Sequence, residues 1–192
     1  MRLARASLAQ GVGMSRGFIA ELAPADMATC IEINLIGALT SAHVAARGMR
    51  EAGRGWIWPT EGLGSTGPVL PGSGPYAASK AGATKAFTVL ARECRGTGVK
   101  VGFLCPTLMP TNLVKPKSDP RDQRRLELTM RLLGETPEHA ASWFVPRMLT
   151  TRRTGTRLSR TRPLQLAGRA LVRSIRSGRD LSLLAQQTVR SR

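Results

Sequence analysis

Hydrophobic positions in the first third of the chain follow two different periods. From Pro24 onward they recur every three or four residues, as on one face of a helix, and the pattern ends near Gly48 or Gly53; its apolar positions are Met27, Ile31, Leu35, Ala38 and Ala42. A short apolar run stopped by proline, GWIWP at 55–59, follows at once. This change of period predicts a long helix and then a buried strand.

The same succession then repeats. Residues 59–75 are rich in Gly, Pro, Ser and Thr and predict a long loop, and long ordered loops are often functional. Residues 77–95 contain good helix formers with few breakers, and VKVGFLC at 99–105 is a β-type run ended by Pro106. Helix, strand, loop, helix, strand and loop make the α/β rhythm of a parallel sheet.

Beyond this point the pattern is less regular. Helices are predicted over 126–133 and 137–149, and a further one over 164–175, but turn signals and arginines multiply after Thr150. We therefore predict an α/β domain at 1–150 and a basic extension at 151–192.

Charge is concentrated in that extension. The chain has 29 basic and 12 acidic residues in 192, a net charge of +17, and 147–192 alone holds 12 arginines, no lysine and one acid, Asp180. Such a segment could contact nucleic acid or an anionic membrane surface. We favour a solvated arginine-rich face in an arginine-biased protein, because no lysine run, interleaved aromatic or nucleic-acid motif accompanies it.

Composition narrows the class of protein. Apolar residues make up 42% of the chain, which argues against disorder, and no run approaches 18 uninterrupted apolar residues, so we predict no membrane span. The first 20 residues contain arginines and no acid; a transit peptide fits them, but the start of a truncated domain fits better. Three cysteines without CxxC spacing indicate buried thiols in a reducing compartment, so we expect a cytoplasmic protein without a metal site.

Candidate chemistry lies in PYAASKAG at 75–82. Tyr76 is the only tyrosine, and Lys80, four residues later, is one of five lysines against 24 arginines. Residues four apart share a helix face, so the ammonium and the helix N-terminus are expected to lower the phenol pKa from about 10. The pair suits acid–base work near neutral pH. Alone it is weak evidence, since most such pairs are solvated helix surface.

The surroundings of this pair resemble the short-chain dehydrogenase/reductase family. INLIGA at 33–38 precedes it, with Asn34 in an apolar stripe, and CPTLMPT at 105–111 follows. The resemblance runs from about Gly11 to Leu113 and more weakly to Met148. TEGLGS at 60–65 and TPEHAASWFVPRM at 136–148 are similar to the chlorophyll(ide) b reductase-like branch. The resemblance implies an incomplete doubly wound, Rossmann-type parallel sheet with helices on both faces, and NAD(P)-dependent hydride transfer between a carbonyl and an alcohol.

The resemblance also implies a role for each matching residue. Tyr76 would exchange the substrate proton, and Lys80 would hold the cofactor ribose and depress the tyrosine pKa. Asn34 would hold a water for proton relay, although a helix-bend asparagine satisfied by backbone is an alternative. Pro106 and Thr111 would flank the nicotinamide end of the cofactor.

The carbonyl-binding serine is less well defined. The usual family spacing falls on Leu63, which has no hydroxyl, whereas the branch-like string TEGLGS places Ser65 in the role. An ordinary loop serine is the alternative. Glu61 reads as a turn or supporting residue and not as a catalytic one.

The family's first βα units are missing from the pattern. No Gly-x-x-x-Gly-x-Gly turn occurs in the sequence. The segment GVGMSRG at 11–17 would need a glycine at Arg16 to match the related motif G-x-G-x-x-G. The residues from Leu8 to Gly11 align with the family's Asn-Asn-Ala-Gly motif but contain neither asparagine. We therefore expect a chain that begins at about the fourth strand and binds NADP or NAD weakly or not at all. Thr107 stands where the family usually has glycine, which predicts strain if that site needs a positive φ.

Two other functions remain open. A truncated chain could be a non-catalytic remnant that serves as a binding or oligomerising half, or an anion-binding module through its arginine-rich tail. An incomplete sheet leaves an open edge and bare apolar surface, so a homo-oligomer, most simply a dimer, is expected in either case.

Overall fold

The computed structural model describes residues 5–9, 11, 13, 17–67, 70–109, 123–124, 127–128, 130–131 and 134–160. Its strands are β1 Arg5–Leu8, β2 Gly55–Pro59, β3 Val99–Val101, β4 Phe103–Cys105 and β5 Arg157–Ser159. Its helices are α1 Pro24–Ile31, α2 Gly37–Glu51, α3 Gly74–Glu93 and α4 Pro137–Thr150, and a π-helical segment, Glu32–Ile36, joins α1 to α2.

The described strands pair in parallel throughout. β1 lies beside β2, β2 beside β3, and β4 beside β5, and an isolated parallel bridge between Thr60 and Leu104 connects β2 to β4. Parallel neighbours need crossover connections, which the helices between them supply. The predicted incomplete parallel sheet is confirmed, and the strands at 55–59 and 99–101 lie side by side.

The predicted strand over 99–105 is divided at Gly102. A Cβ on this residue would overlap the six-membered ring of Trp58, which is fully buried, and its amide donates to the Ile57 carbonyl oxygen at 2.9 Å. The close approach of backbone to tryptophan requires glycine and interrupts the strand. The apolar run alone shows no such break, because the break depends on a residue 44 positions earlier.

Helices cover both faces of the sheet, as predicted. One face packs on α2 and α3 through small and aromatic side chains that include Ala38, Ala42, Ala46, Ile57, Ala83, Phe87 and Val101. The other face packs on α4 through Trp56, Trp58, Leu104, Ala140 and Phe144. Strands buried on both faces are typical of α/β proteins and explain the continuous apolar run GWIWP.

The helical run Pro24–Glu51 has two unlike sides. It is 28 residues long and contains an 18-residue stretch with a mean hydropathy of 1.2, which by length and composition alone would allow a membrane span, although a core helix passes the same test. The run contacts α3, β1 and β2, and its buried residues are Cys30, Asn34, Ala38, Ala42, Ala46 and Met49. Its exposed side carries four large apolar residues, Ile33, Ile36, Leu39 and Val44.

The C-terminal part was predicted less completely. α4 matches the helix expected over 137–149; Thr136 caps it by accepting a hydrogen bond from the His139 amide at 3.2 Å. β5 was not predicted, and it places residues 157–159 of the expected basic extension beside β4. The division after Thr150 stays a prediction. Half of the helix predicted over 126–133 is described, and those residues, 127, 128, 130 and 131, are helical. The helix predicted over 164–175 lies wholly outside the described residues.

Candidate active site

Tyr76 and Lys80 occupy the first two turns of α3. The helix starts at Gly74 with Pro75 in its first turn, where a missing amide proton costs nothing. Lys80 is only 7% exposed, and its Nζ lies 5.9 Å from the centroid of the Tyr76 ring. The predicted pair therefore combines a half-buried tyrosine with a buried lysine and is not a solvated surface pair.

Two glycines bring loop backbone against the reactive atoms. A Cβ at Gly62, in the loop after β2, would lie 2.5 Å from the Tyr76 hydroxyl oxygen and 3.5 Å from Lys80 Cε. A Cβ at Gly11, after β1, would lie 3.3 Å from Lys80 Nζ. Neither glycine was predicted to have a functional role. The available signal was a glycine shortly after each of two strands.

Asn34 links the π-helical segment to the tyrosine turn. Its side chain is 1% exposed, and its amide nitrogen donates to Ser79 Oγ at 3.2 Å and to Cys30 Sγ at 3.4 Å. Ser79 in turn donates to the Tyr76 carbonyl oxygen at 2.7 Å. The alternative of a bend asparagine satisfied by backbone does not account for the contact with α3. π-Helical segments are frequent at functional sites.

Ser65 lies in the turn that faces Tyr76. It is 8% exposed, and its Oγ accepts a hydrogen bond from the Gly62 amide at 2.9 Å. Because Gly62 touches the phenol oxygen, this bond places the Ser65 hydroxyl next to the Tyr76 contact. The alternative position, Leu63, is 38% exposed and carries no hydroxyl. The carbonyl-binding role of Ser65 stays a prediction.

The loop after β2 also contains glycines at the spacing of a dinucleotide-binding motif. GLGSTG at 62–67 has the pattern G-x-G-x-x-G after a strand, which can mark a phosphate cradle. That function needs a helix beginning within the turn, whereas α3 begins only at Gly74. Gly64 has φ +85 and would place a Cβ 2.5 Å from Ala77 Cβ. Packing on α3 therefore explains Gly62 and Gly64, whereas Gly67 has nothing within 4 Å of a Cβ and is explained by its φ of +87.

The loop after β4 carries the predicted nicotinamide-end residues. Pro106 is half-buried at the carboxyl end of β4, and Thr111 lies outside the described residues. Thr107 donates to Glu135 Oε2 at 2.9 Å, and no non-glycine residue among those described has a positive φ. The strain expected at Thr107 is therefore absent, since the threonine occupies an ordinary backbone conformation and anchors the loop.

A small cavity adjoins the lysine. Its volume is about 10 Å³, and its polar lining residues are Asn34, Thr60, Glu61, Lys80 and Thr84. A space of this size holds about one water, and such a water needs two to four polar partners, which this lining offers. The cavity suits the water predicted beside Asn34.

Burial dominates the electrostatics of the pair. Removal from water raises the pKa of the Tyr76 phenol, with the Cys30 thiol acting in the same direction, and it lowers the pKa of the Lys80 ammonium. The expected lowering of the tyrosine pKa is therefore wrong for the described chain. Lys80 Nζ lies 5.9 Å from the centroid of the Tyr76 ring, and its charge does not offset the desolvation of the phenol.

The single tyrosine permits a direct test. We expect the phenolate absorbance of the folded chain to titrate with a midpoint above 10.0, and that of the denatured chain near 10. A raised folded-state pKa contributes stability that is present below the unfolded pKa and is lost as pH rises through the folded one. The measurement is an ultraviolet titration, with circular dichroism to verify that the chain stays folded. The Tyr76→Phe variant gives the absorbance of the tryptophans, which is subtracted. A folded-state midpoint below 10 would contradict the burial argument.

The fold and the site define a Rossmann-type oxidoreductase class, and comparison with known proteins agrees. The chain belongs to the short-chain dehydrogenase family, whose profile, described as short chain dehydrogenase, matches residues 6–122. The predicted resemblance to this family and to its chlorophyll(ide) b reductase-like branch is thus confirmed.

The chain matches only part of the length of its curated relatives. It is 25% identical over 170 residues to a protein named probable chlorophyll(ide) b reductase, chloroplastic, from Oryza sativa subsp. japonica, over 87% of this chain and 33% of that protein. It is 29% identical over 119 residues to an NADPH-dependent aldehyde reductase-like protein, chloroplastic, from Arabidopsis thaliana, over 62% and 42% of the two chains. The chain therefore spans only a third to two fifths of these relatives.

Two solved structures share the fold. A short-chain dehydrogenase from Streptomyces avermitilis superposes with a TM-score of 0.66 at 19% identity, over 100% of this chain and 72% of that one. A gluconate 5-dehydrogenase from Burkholderia cenocepacia in complex with NADP and tartrate superposes with a TM-score of 0.64 at 21% identity, over 81% and 62%.

Proposed function

We propose that this protein is an NAD(P)-dependent oxidoreductase that transfers hydride between a nicotinamide and the carbonyl or alcohol carbon of a small molecule. One observation carries the proposal: the half-buried Tyr76 places its phenol against the Gly62 backbone, with Lys80 on the next helical turn and Ser65 closing the Gly62 turn. These groups lie in the loop after β2 and in the first turns of α3, at the carboxyl edge of a parallel sheet, where ligands of α/β proteins bind.

The chain's own residues would manage the proton. A bound nicotinamide would supply the hydride to the carbonyl carbon. Tyr76, which burial keeps protonated at neutral pH, would give its proton to the carbonyl oxygen, so an alcohol forms and a phenolate remains. Ser65 would donate a hydrogen bond to the same oxygen. Lys80, with a water in the Asn34 cavity, would return a proton to Tyr76; alcohol oxidation reverses each step.

The described residues fit one end of the cofactor. The Tyr76 hydroxyl and the Lys80 ammonium would donate to ribose hydroxyls, and Pro106 would flank the nicotinamide. A pyrophosphate turn of the form Gly-x-x-x-Gly-x-Gly does not occur in the 192 residues. We propose that firm binding of NADP or NAD needs a glycine-rich unit in addition to this sequence. NADP gains support from the gluconate 5-dehydrogenase complex and the NADPH-dependent relative.

A second copy of the chain is proposed to cover the exposed side of α1–α2. Ile36 is 51% and Val44 67% exposed there, Val89 on α3 is 45% exposed, and β1 is an edge strand of the described sheet. We expect light scattering to give a dimer mass and Val44→Glu to give a monomer, with Ser142→Glu, an exposed polar position of α4 on the opposite face of the sheet, as control. A wild-type monomer at high concentration would contradict this proposal.

The missing glycine-rich turn favours one competing function, a non-catalytic remnant that acts as a binding or oligomerising half. The third function, an anion-binding tail, rests mainly on residues 161–192, which lie outside the described residues. A cytoplasmic location also stays a proposal. Nicotinamide-dependent turnover of carbonyl substrates, compared between the wild type and Tyr76→Phe, separates the enzyme from the remnant.

A further inference from the structure

The loop that meets Tyr76 is held from behind by a buried ion pair. Glu61, directly before Gly62, is 4% exposed although it is a carboxylate. Arg157, from β5, donates through Nε to Glu61 Oε2 at 2.7 Å and through Nη2 to Glu61 Oε1 at 2.8 Å. This bidentate geometry fixes both carboxylate oxygens and gives more directional restraint than a point-charge contact.

The arginine is itself fixed. Its guanidinium lies 5.0 Å from the centroid of the Phe103 ring on β4, and Phe103 is 3% exposed. β5 also pairs with β4, with Phe103 opposite Arg157. The hydrogen bonds that Arg157 donates to Glu61 raise the pKa of the guanidinium, so the arginine stays charged at every working pH. The pair therefore ties the Glu61 loop to the rigid part of the sheet.

Glu61 stands one peptide from the phenol contact. Its amide donates to the Leu104 carbonyl oxygen at 2.7 Å, and the next residue, Gly62, has the Cα whose Cβ would meet the Tyr76 hydroxyl at 2.5 Å. The Gly62 amide donates to Ser65 Oγ. A shift of the Glu61 backbone would therefore move the wall beside Tyr76 and the Ser65 hydroxyl together.

We infer that Arg157 and Glu61 are positioning residues for the reaction: the β5 arginine, through the buried glutamate, sets the place of the Gly62 backbone against the Tyr76 phenol and of the Ser65 hydroxyl beside it. This inference rests on the proposed function for its catalytic meaning. The positional effect itself concerns only described residues and is measurable without turnover. Through Arg157, the segment after Thr150 would help to position the candidate active site.

A second pair on the same strand end supplies a matched control. Arg160 donates through Nε to Glu135 Oε2 at 2.8 Å, and Glu135 is also 4% exposed. Its carboxylate accepts from Thr107, in the loop after β4, and not from the Gly62 turn. Arg157→Lys and Arg160→Lys both keep the charge and lose the planar fork, so any difference between them reports position and not net charge.

The experiment compares the full chain with Arg157→Lys, Glu61→Asp and Arg160→Lys. We expect the first two to bring the Tyr76 titration midpoint back toward 10, because a displaced wall admits water to the phenol, and Arg160→Lys to leave it unchanged. Gly62 amide exchange at neutral pH, measured by NMR, should be on the order of tenfold faster in Arg157→Lys than in the wild type and unchanged in Arg160→Lys. This second readout serves where a variant unfolds in alkali.

Equal responses of Arg157→Lys and Arg160→Lys, or no response of either, would overturn the inference and leave Arg157 as a stabilising residue only. In the protein completed by a glycine-rich unit, we expect Arg157→Lys to lower kcat on the order of tenfold with KM nearly unchanged, since it misplaces groups without removing one. If no substrate turns over while the midpoint and the exchange rate still move, the proposed function fails and the positioning role stands.

Discussion

Tyr76→Phe should abolish most turnover and leave the fold intact. The substitution removes only the hydroxyl oxygen, which lies beside the backbone of Gly62. The packing of the ring is therefore retained. Loss of a positioned proton donor is expected to lower kcat on the order of 10²-fold or more. The protein for this test carries a glycine-rich βα unit ahead of Met1, and oxidation of reduced nicotinamide is followed by its absorbance.

Companion variants assign the remaining roles. Lys80→Ala should lower both cofactor affinity and kcat, and Lys80→Arg should restore little, because a planar guanidinium does not replace a compact ammonium in a buried site. Ser65→Ala should cost less than Tyr76→Phe and more than Thr66→Ala, an exposed position in the same loop. Full turnover by Tyr76→Phe on any substrate that the wild type accepts would show that the proposed proton transfer is wrong.

The helices and the buried strand β2 could be predicted because local sequence patterns determine them. The three-and-four spacing from Met27 to Ala42 follows the buried side of α1–α2, and GWIWP is continuous because both of its faces are covered. Tyr76 and Lys80 were found for a similar reason: a helix places residues four apart on one face, whatever the rest of the fold does.

What sequence reasoning missed depends on contacts between distant residues. The break at Gly102 is set by Trp58, and the role of Gly62 is set by a phenol on another element. The three residues of β5 carry almost no periodic signal. Arg157 in this strand and Arg160 directly after it were counted with the basic tail, although both bind buried glutamates. The predicted direction of the Tyr76 pKa shift was wrong, because the sequence shows the nearby lysine but not how far the phenol is removed from water.

Gly62→Ala should damage the site more than the fold. The added Cβ would lie 2.5 Å from the Tyr76 hydroxyl, closer than real side chains approach, but Gly62 has no positive φ, so the backbone itself accepts alanine. The phenol is the end of a side chain and can swing away. We expect a loss of about 1–3 kcal/mol in the free energy of unfolding, a Tyr76 titration midpoint closer to 10, and turnover as low as that of Tyr76→Phe.

Two controls isolate the cause. Gly48→Ala, in the last turn of α2 with nothing within 4 Å of the new Cβ, should stabilise the chain by up to about 0.5–1 kcal/mol, which would show that alanine for glycine is not harmful in itself. The double variant Gly62→Ala with Tyr76→Phe removes the oxygen that the new methyl group meets, and only the ring carbon Cζ at 3.3 Å remains close. We therefore expect the double variant to regain most of the stability lost by Gly62→Ala, measured by urea unfolding. If the two effects simply add, the phenol does not rest on Gly62, and the geometry from which the proton transfer was derived is wrong.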